Sequence, residues 1–132
     1  MQSALIAILA AGLAGWLFGA AWHTVLGNPW QRAHGMNPDD CKDKKMPMMP
    51  LVVALLGAIV MAAVLYQLLT GLGVMGIGHG AIAGLTLGVG FMLTATLVNN
   101  QFQGKGWMAT LIDGGHWTLV LVIEAIVIMA LA

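Results

Sequence analysis

Four long apolar runs, separated by polar segments, set the pattern of this chain. The first covers 4–22, the second 51–69, the third 77–98 and the fourth 109–131. At about 1.5 Å of rise per residue, a helix of the first run's length spans about 28 Å, which matches a bilayer's hydrocarbon core. Runs of this length predict membrane-spanning helices. Between the first two runs lies the one sizeable polar segment, 27–50. It holds Arg32, Lys42, Lys44, Lys45, Asp39, Asp40 and Asp43, together with Pro29, Pro38, Pro47 and Pro50. Prolines among mixed charges predict a loop, with a short interfacial helix near 30–34. The turn at 71–76 is brief, so spans two and three are expected to be antiparallel neighbours. A second short polar connector, 99–106, leads into the fourth run. The predicted fold is all-α: one domain over 1–132, a polytopic integral membrane protein built as an up-down four-helix transmembrane bundle.

Small residues recur at helical spacing inside these runs. Gly15 and Gly19 stand four apart, with Ala11 one step before and His23 one step after. Gly76, Gly80, Gly84 and Gly88 form a longer stripe on the third span. In a soluble helix each glycine costs about 1 kcal/mol relative to alanine. In a membrane, glycine at this spacing lets helix backbones approach closely. The expectation is that spans one and three pack through these glycines with the fourth span's polar face turned toward them. The third span has more such steps than one contact needs, which points to a homo-oligomer.

Composition makes lipid the solvent. Of 132 residues, 60% are hydrophobic and 8% charged, against about 25% charged in a soluble domain. The expected partner is therefore the lipid bilayer. The net charge is zero, with no basic patch of the size nucleic acid requires. Cys41 is the single cysteine, and no Cys/His spacing matches a zinc site. Met1, Gln2 and Ser3 lack the positive charge that opens a signal peptide, so the first run is expected to be a retained span. All five Lys and Arg residues lie in the two polar segments. The positive-inside rule then puts both segments in the cytoplasm and both termini outside.

Candidate chemistry concentrates on the fourth run, which carries Asp113, His116 and Glu124. At 100° per residue, Glu124 falls about 20° from Asp113 and His116 about 60° to the other side, so one face holds all three. The antiparallel order of spans also brings His23, Asn99 and Asn100 to the level of Asp113 and His116. Two readings fit Asp113-Gly114-Gly115. Either the helix runs unbroken from Trp107, or Asp113 is an N-cap and the span begins at Gly114. Glu124 lies about 12 Å further along the helix than His116, inside the apolar layer. A carboxylate there costs about 2.5 to 3.5 kcal/mol on insertion scales. The depth match places Glu124 level with Gly80 and Gly84, in a cleft left by missing side chains, with Tyr66 or His79 as hydrogen-bond partner. Beside these readings stand plainer ones: histidines satisfied at the interface, a capping Asp113 and a neutral structural Glu124.

His23, Asp113 and His116 are of the types that bind divalent ions, but no fixed third position follows from the spacing, and no metal or cofactor is expected. There is no Gly-x-Ser-x-Gly elbow and no phosphate-cradling glycine loop. An enzyme using the His/Asp cluster therefore ranks last among the functional readings. A transporter- or channel-like protein, with Glu124 as proton or ligand site, ranks first. A non-catalytic interaction protein that packs on partners or lipids through its glycines ranks second.

The stretch Gly15-Trp16-Leu17-Phe18-Gly19-Ala20-Ala21-Trp22, followed by Leu26-Gly27-Asn28-Pro29-Trp30, resembles the first-span signature of the domain-of-unknown-function family 1761. Asn100-Gln101-Phe102-Gln103-Gly104 and Leu111-Ile112-Asp113-Gly114-Gly115 resemble that family's last hairpin. Where members often carry Tyr after the second Trp, this chain has His23. The resemblance covers nearly the whole chain. It implies a small four-span bacterial membrane protein, and it implies no activity; in a bacterial inner membrane, the outside position expected for the termini from the Lys and Arg distribution would be the periplasm.

Overall fold

The computed structural model describes residues 1–132 and contains helices, turns and no strand. Helix α1 covers Gln2–Val25. Two short helices follow, α2 (Gly27–Ala33) and α3 (Pro38–Cys41). Helix α4 covers Met48–Gly71. The third span, Ile77–Phe102, consists of α5 (Ile77–Leu87), a π-helical turn (Gly88–Leu93) and α6 (Thr94–Phe102). Helix α7 covers Trp107–Leu131. Four helices are thus long and apolar enough to cross a membrane. The first two overrun their apolar runs at both ends, the third at its C-terminal end and the fourth at its N-terminal end, because a helix in lipid pairs its own backbone groups and continues doing so into the interfacial layer. The polar residues 99–102, expected in a connector, are therefore the last turn of α6.

The interior is built from small side chains and the outside from large ones. Ala7, Ala11, Ala58, Ala62, Ala109 and Ala125 are buried, while Leu9, Leu13, Leu17, Leu56, Val60 and Val64 are exposed. Lipid is as apolar as leucine, so large side chains gain little by turning inward, and small ones gain close contact between helices.

Helix α7 is the hub. It packs against α1, α4 and the third span, and α1 also packs against α4. The third span has no packed interface with α1 or with α4. Spans one and three therefore do not join through their glycines as expected; both turn them toward α7 from opposite sides. A Cβ on Gly84 would stand 2.6 Å from the Leu121 carbonyl oxygen, and one on Gly88 would stand 2.7 Å from the Thr118 Cα. Gly80 faces Met129 and the Ala125 carbonyl. Gly76 is not part of this contact. It precedes α5 at φ 86 with open space around it, so it serves the turn, where that backbone conformation favours glycine. Gly12, on α1, has a separate close approach to α4: a Cβ there would stand 2.8 Å from the Ile59 Cα.

The π turn corrects the register of the third span. Below Gly88 the face toward α7 advances five residues, to Leu93, which packs on Gly114. A π turn takes one extra residue per turn, so the contact with α7 continues without rotating away. The Thr94 hydroxyl donates to the Val89 carbonyl at 2.9 Å, satisfying an acceptor within the widened turn. Lower still, the buried Asn100 side chain donates to Thr110 Oγ1 at 3.1 Å and ties the third span to the first turn of α7.

The third span's contact is tested by two glycines. Gly84→Leu puts bulk into the backbone of α7 and is expected to cost at least about 1–3 kcal/mol, read as a lower unfolding midpoint in detergent. Gly78 has nothing within 4 Å, so Gly78→Leu is expected to leave the midpoint near wild type. Equal effects at the two positions would contradict the packing described.

Candidate functional site

The interface between α1 and α7 carries nearly all the ionisable side chains of the spans. The helices run antiparallel, with Trp22 Nε1 donating to the Ile112 carbonyl at 3.1 Å at the end where the polar loops lie. From there the seam reads Asp113, then His116 beside His23, then Val120, then Glu124.

Helix α7 is unbroken from Trp107, so Asp113 is helical and not an N-cap. Gly114 and Gly115 both lie against large neighbours: Gly114 faces Leu93, and a Cβ on Gly115 would stand 3.5 Å from the Trp22 ring. Asp113 uses both carboxylate oxygens. Oδ1 accepts from Trp30 Nε1 at 2.8 Å, and Oδ2 accepts from His34 Nε2 at 2.9 Å. Trp30 lies on α2 and His34 caps its end.

His116 is 7% exposed. Its ring lies 4.8 Å from that of His23 and stacks on Phe18 with centroids 6.3 Å apart. The ring occupies room that Gly19 leaves: a Cβ there would stand 2.7 Å from His116 Nε2. His23 in turn meets Trp30 edge-on at 6.0 Å.

Glu124 is fully buried at 0% exposure. No protein group is in hydrogen-bond reach of either carboxyl oxygen. Its Oε1 sits over Gly15, 2.9 Å from where a Cβ would be. The cleft that receives it therefore belongs to α1, not to Gly80 and Gly84, which face α7's backbone. The expected partners are absent from it. His79 lies exposed at the opposite end of the third span, with Nδ1 3.0 Å from the Met75 carbonyl. The half-buried Tyr66 forms no hydrogen bond through its phenol.

Gly15 and Gly19 are thus two sockets for ionisable side chains of α7, whereas the third span's glycines admit backbone. Of the sequence candidates, the fold gathers Asp113, His116 and His23 at one end and sets Glu124 two turns deeper on the same seam. It leaves His79 and Tyr66 apart. Asn100 is engaged with Thr110, and Asn99 is exposed. Sequence reasoning missed His34. The available signal was the spacing of Trp30 and His34, four apart on the short helix expected near 30–34, so that both face the same way. No three His, Cys, Asp or Glu side chains converge so as to hold a metal ion. The trio of His23, Asp113 and His116 fails as a ligand set because both oxygens of Asp113 are engaged by α2.

A family model described as "Protein of unknown function (DUF1761)" matches residues 6–129. The chain belongs to this family. No curated protein and no solved structure matches it. The DUF1761 description carries no activity, so a functional reading must come from the seam itself.

The sockets make a testable pair. Gly19→Ala forces the His116 ring to move and is expected to destabilise the protein by about 1–3 kcal/mol. In a His116→Ala background the same change has no ring to displace and should cost close to nothing. A thermodynamic cycle in detergent measures the coupling. Additive effects would mean that Gly19 does not seat His116.

Proposed function

We propose that this protein is a small transporter- or channel-like membrane protein that handles protons, with Glu124 as its intramembrane proton site. The observation that carries the reading is the state of Glu124: fully buried, with neither oxygen partnered by the protein. A structural carboxyl in an apolar layer needs a hydrogen-bond partner, since burying an unpaired polar group costs several kcal/mol. This one has none in the chain, which fits a carboxyl whose partner is a water or ligand reaching the seam. Ionisable groups within membrane spans mark ion and proton pathways for the same reason.

The route we propose enters at the polar-loop end, which the Lys and Arg distribution assigns to the cytoplasm. A proton arriving near Asp113 meets the His23–His116 pair, whose imidazoles can take a proton on one ring nitrogen and release it from the other. From His116 to Glu124 the helix rises about 12 Å. That is too far for direct transfer, which works over one hydrogen bond or one intervening water. The last step therefore requires water to enter the α1–α7 seam past Val120. The rival reading, partner binding through free glycine seams, has less support, because the buried glycines of α1 and the third span are already covered by helices of the same chain.

Two measurements test the proposal on protein reconstituted in lipid vesicles. Infrared difference titration of wild type against Glu124→Gln is expected to show Glu124 gaining and losing its proton as bulk pH changes. Potential-driven proton flux, read by a trapped pH dye, is expected to exceed that of protein-free vesicles and to return to their rate in Glu124→Gln, with an unchanged unfolding midpoint. A carboxyl that keeps one protonation state throughout, or a variant that conducts like wild type, would overturn the reading.

A further inference from the structure

We infer that α2 is a hinged lid over the His23–His116 pair, and that Asp113 is its latch. The inference rests on the proposed function only for what the lid regulates; its geometry stands apart from it. Helix α2 is a separate seven-residue piece. It is divided from α1 at Leu26, whose φ of −101 and ψ of 16 depart from the helical path. Gly27 follows with nothing within 4 Å of where its Cβ would be. At the other end Gly35 takes φ 77, again in open space. Both ends can therefore turn without a steric clash, and the φ at Gly35 is one that favours glycine.

What holds this piece down is polar and concentrated at one residue. Trp30 Nε1 and His34 Nε2 donate to the two oxygens of Asp113, at 2.8 and 2.9 Å. No residue of α2 is buried, so little apolar area secures it. The Trp30 ring lies 4.6 Å from that of His34 and 6.0 Å from that of His23, and the His23 ring lies 4.8 Å from that of His116. Trp30 thus reaches the latch and the imidazole pair with one side chain. When the two hydrogen bonds to Asp113 break, Trp30 leaves His23, and the pair opens to the aqueous side. The two bonds leave together because both donors belong to the same rigid turn, four residues apart.

The test is chemical access of each histidine to diethyl pyrocarbonate, read site by site by mass spectrometry on the whole protein in vesicles or detergent. His79 is exposed at the opposite end and serves as internal control. In wild type, His23 and His116 are expected to react much more slowly than His79. The Trp30→Phe/His34→Ala variant removes both donors while leaving the Asp113 carboxylate in place. It is expected to speed modification of His23 and His116 by about tenfold or more, with His79 unchanged. Should that variant fail to fold, Trp30→Phe alone, which keeps an aromatic ring, is expected to give a smaller increase at the same two sites. Unchanged rates at His23 and His116 would overturn the lid, as would an equal rise at His79, which reports general loosening. Access gated by α2 in a protein without proton flux would leave the lid standing and remove the transport reading; flux with ungated access would do the reverse.

Discussion

Helix α1 and the third span are held by their approach to α7, and the closeness of that approach depends on side chains that are missing. On one flank the third span brings Gly84 and Gly88 against the backbone of α7 and Gly80 against Met129 and the Ala125 carbonyl. On the other, α1 brings Gly15 and Gly19 against the side chains of Glu124 and His116. Without a hydrophobic force between helices in lipid, such contacts carry most of the association energy. The two flanks are chemically different although both use glycine. Backbone against backbone is a dense, dry joint that rewards staying shut. Glycine against an ionisable side chain is a joint whose energy depends on the state of that side chain.

This difference explains the distribution of polar groups. The core of Ala11, Ala62, Leu65, Leu69, Leu121, Ala125 and Ile128 closes the end of α1, α4 and α7 where the termini lie. At the other end Trp22, His23, His116 and Asp113 meet between α1 and α7, with the rings of Phe18 and Trp30 packed beside them. Glu124 stands near the boundary between the two regimes. It is buried as deeply as the apolar core, yet it belongs to the line of ionisable groups that leads back to the loops.

Much of this was legible in the chain. The apolar runs located the four long helices, since a span needs little beyond length and hydropathy to be recognised. The face shared by Asp113, His116 and Glu124 followed from helical periodicity alone, and the level of His23 followed from antiparallel order. What periodicity could not supply was azimuth between helices. Depth put Glu124 level with Gly80 and Gly84, and those glycines lie at about that level, but across α7 from the carboxyl. A short helix near 30–34 was expected, but its attachment to the bundle was not. A segment with four prolines and seven charges has the composition of a solvated connector, and only the geometry shows that Trp30 and His34 leave it to reach Asp113.

The asymmetry of the two flanks also indicates where motion is least costly. Opening the third span from α7 would separate backbone contacts along three glycines and break the buried Asn100–Thr110 bond. Opening α1 from α7 near Gly15 and Gly19 would unseat two side chains, and water entering the gap would offer Glu124 the partners that the protein withholds. The first change exposes polar backbone to lipid and gains nothing in return. The second replaces an unsatisfied carboxyl by a hydrated one, which offsets the lost packing. The seam that holds the ionisable groups is therefore also the one whose opening hydration would partly repay.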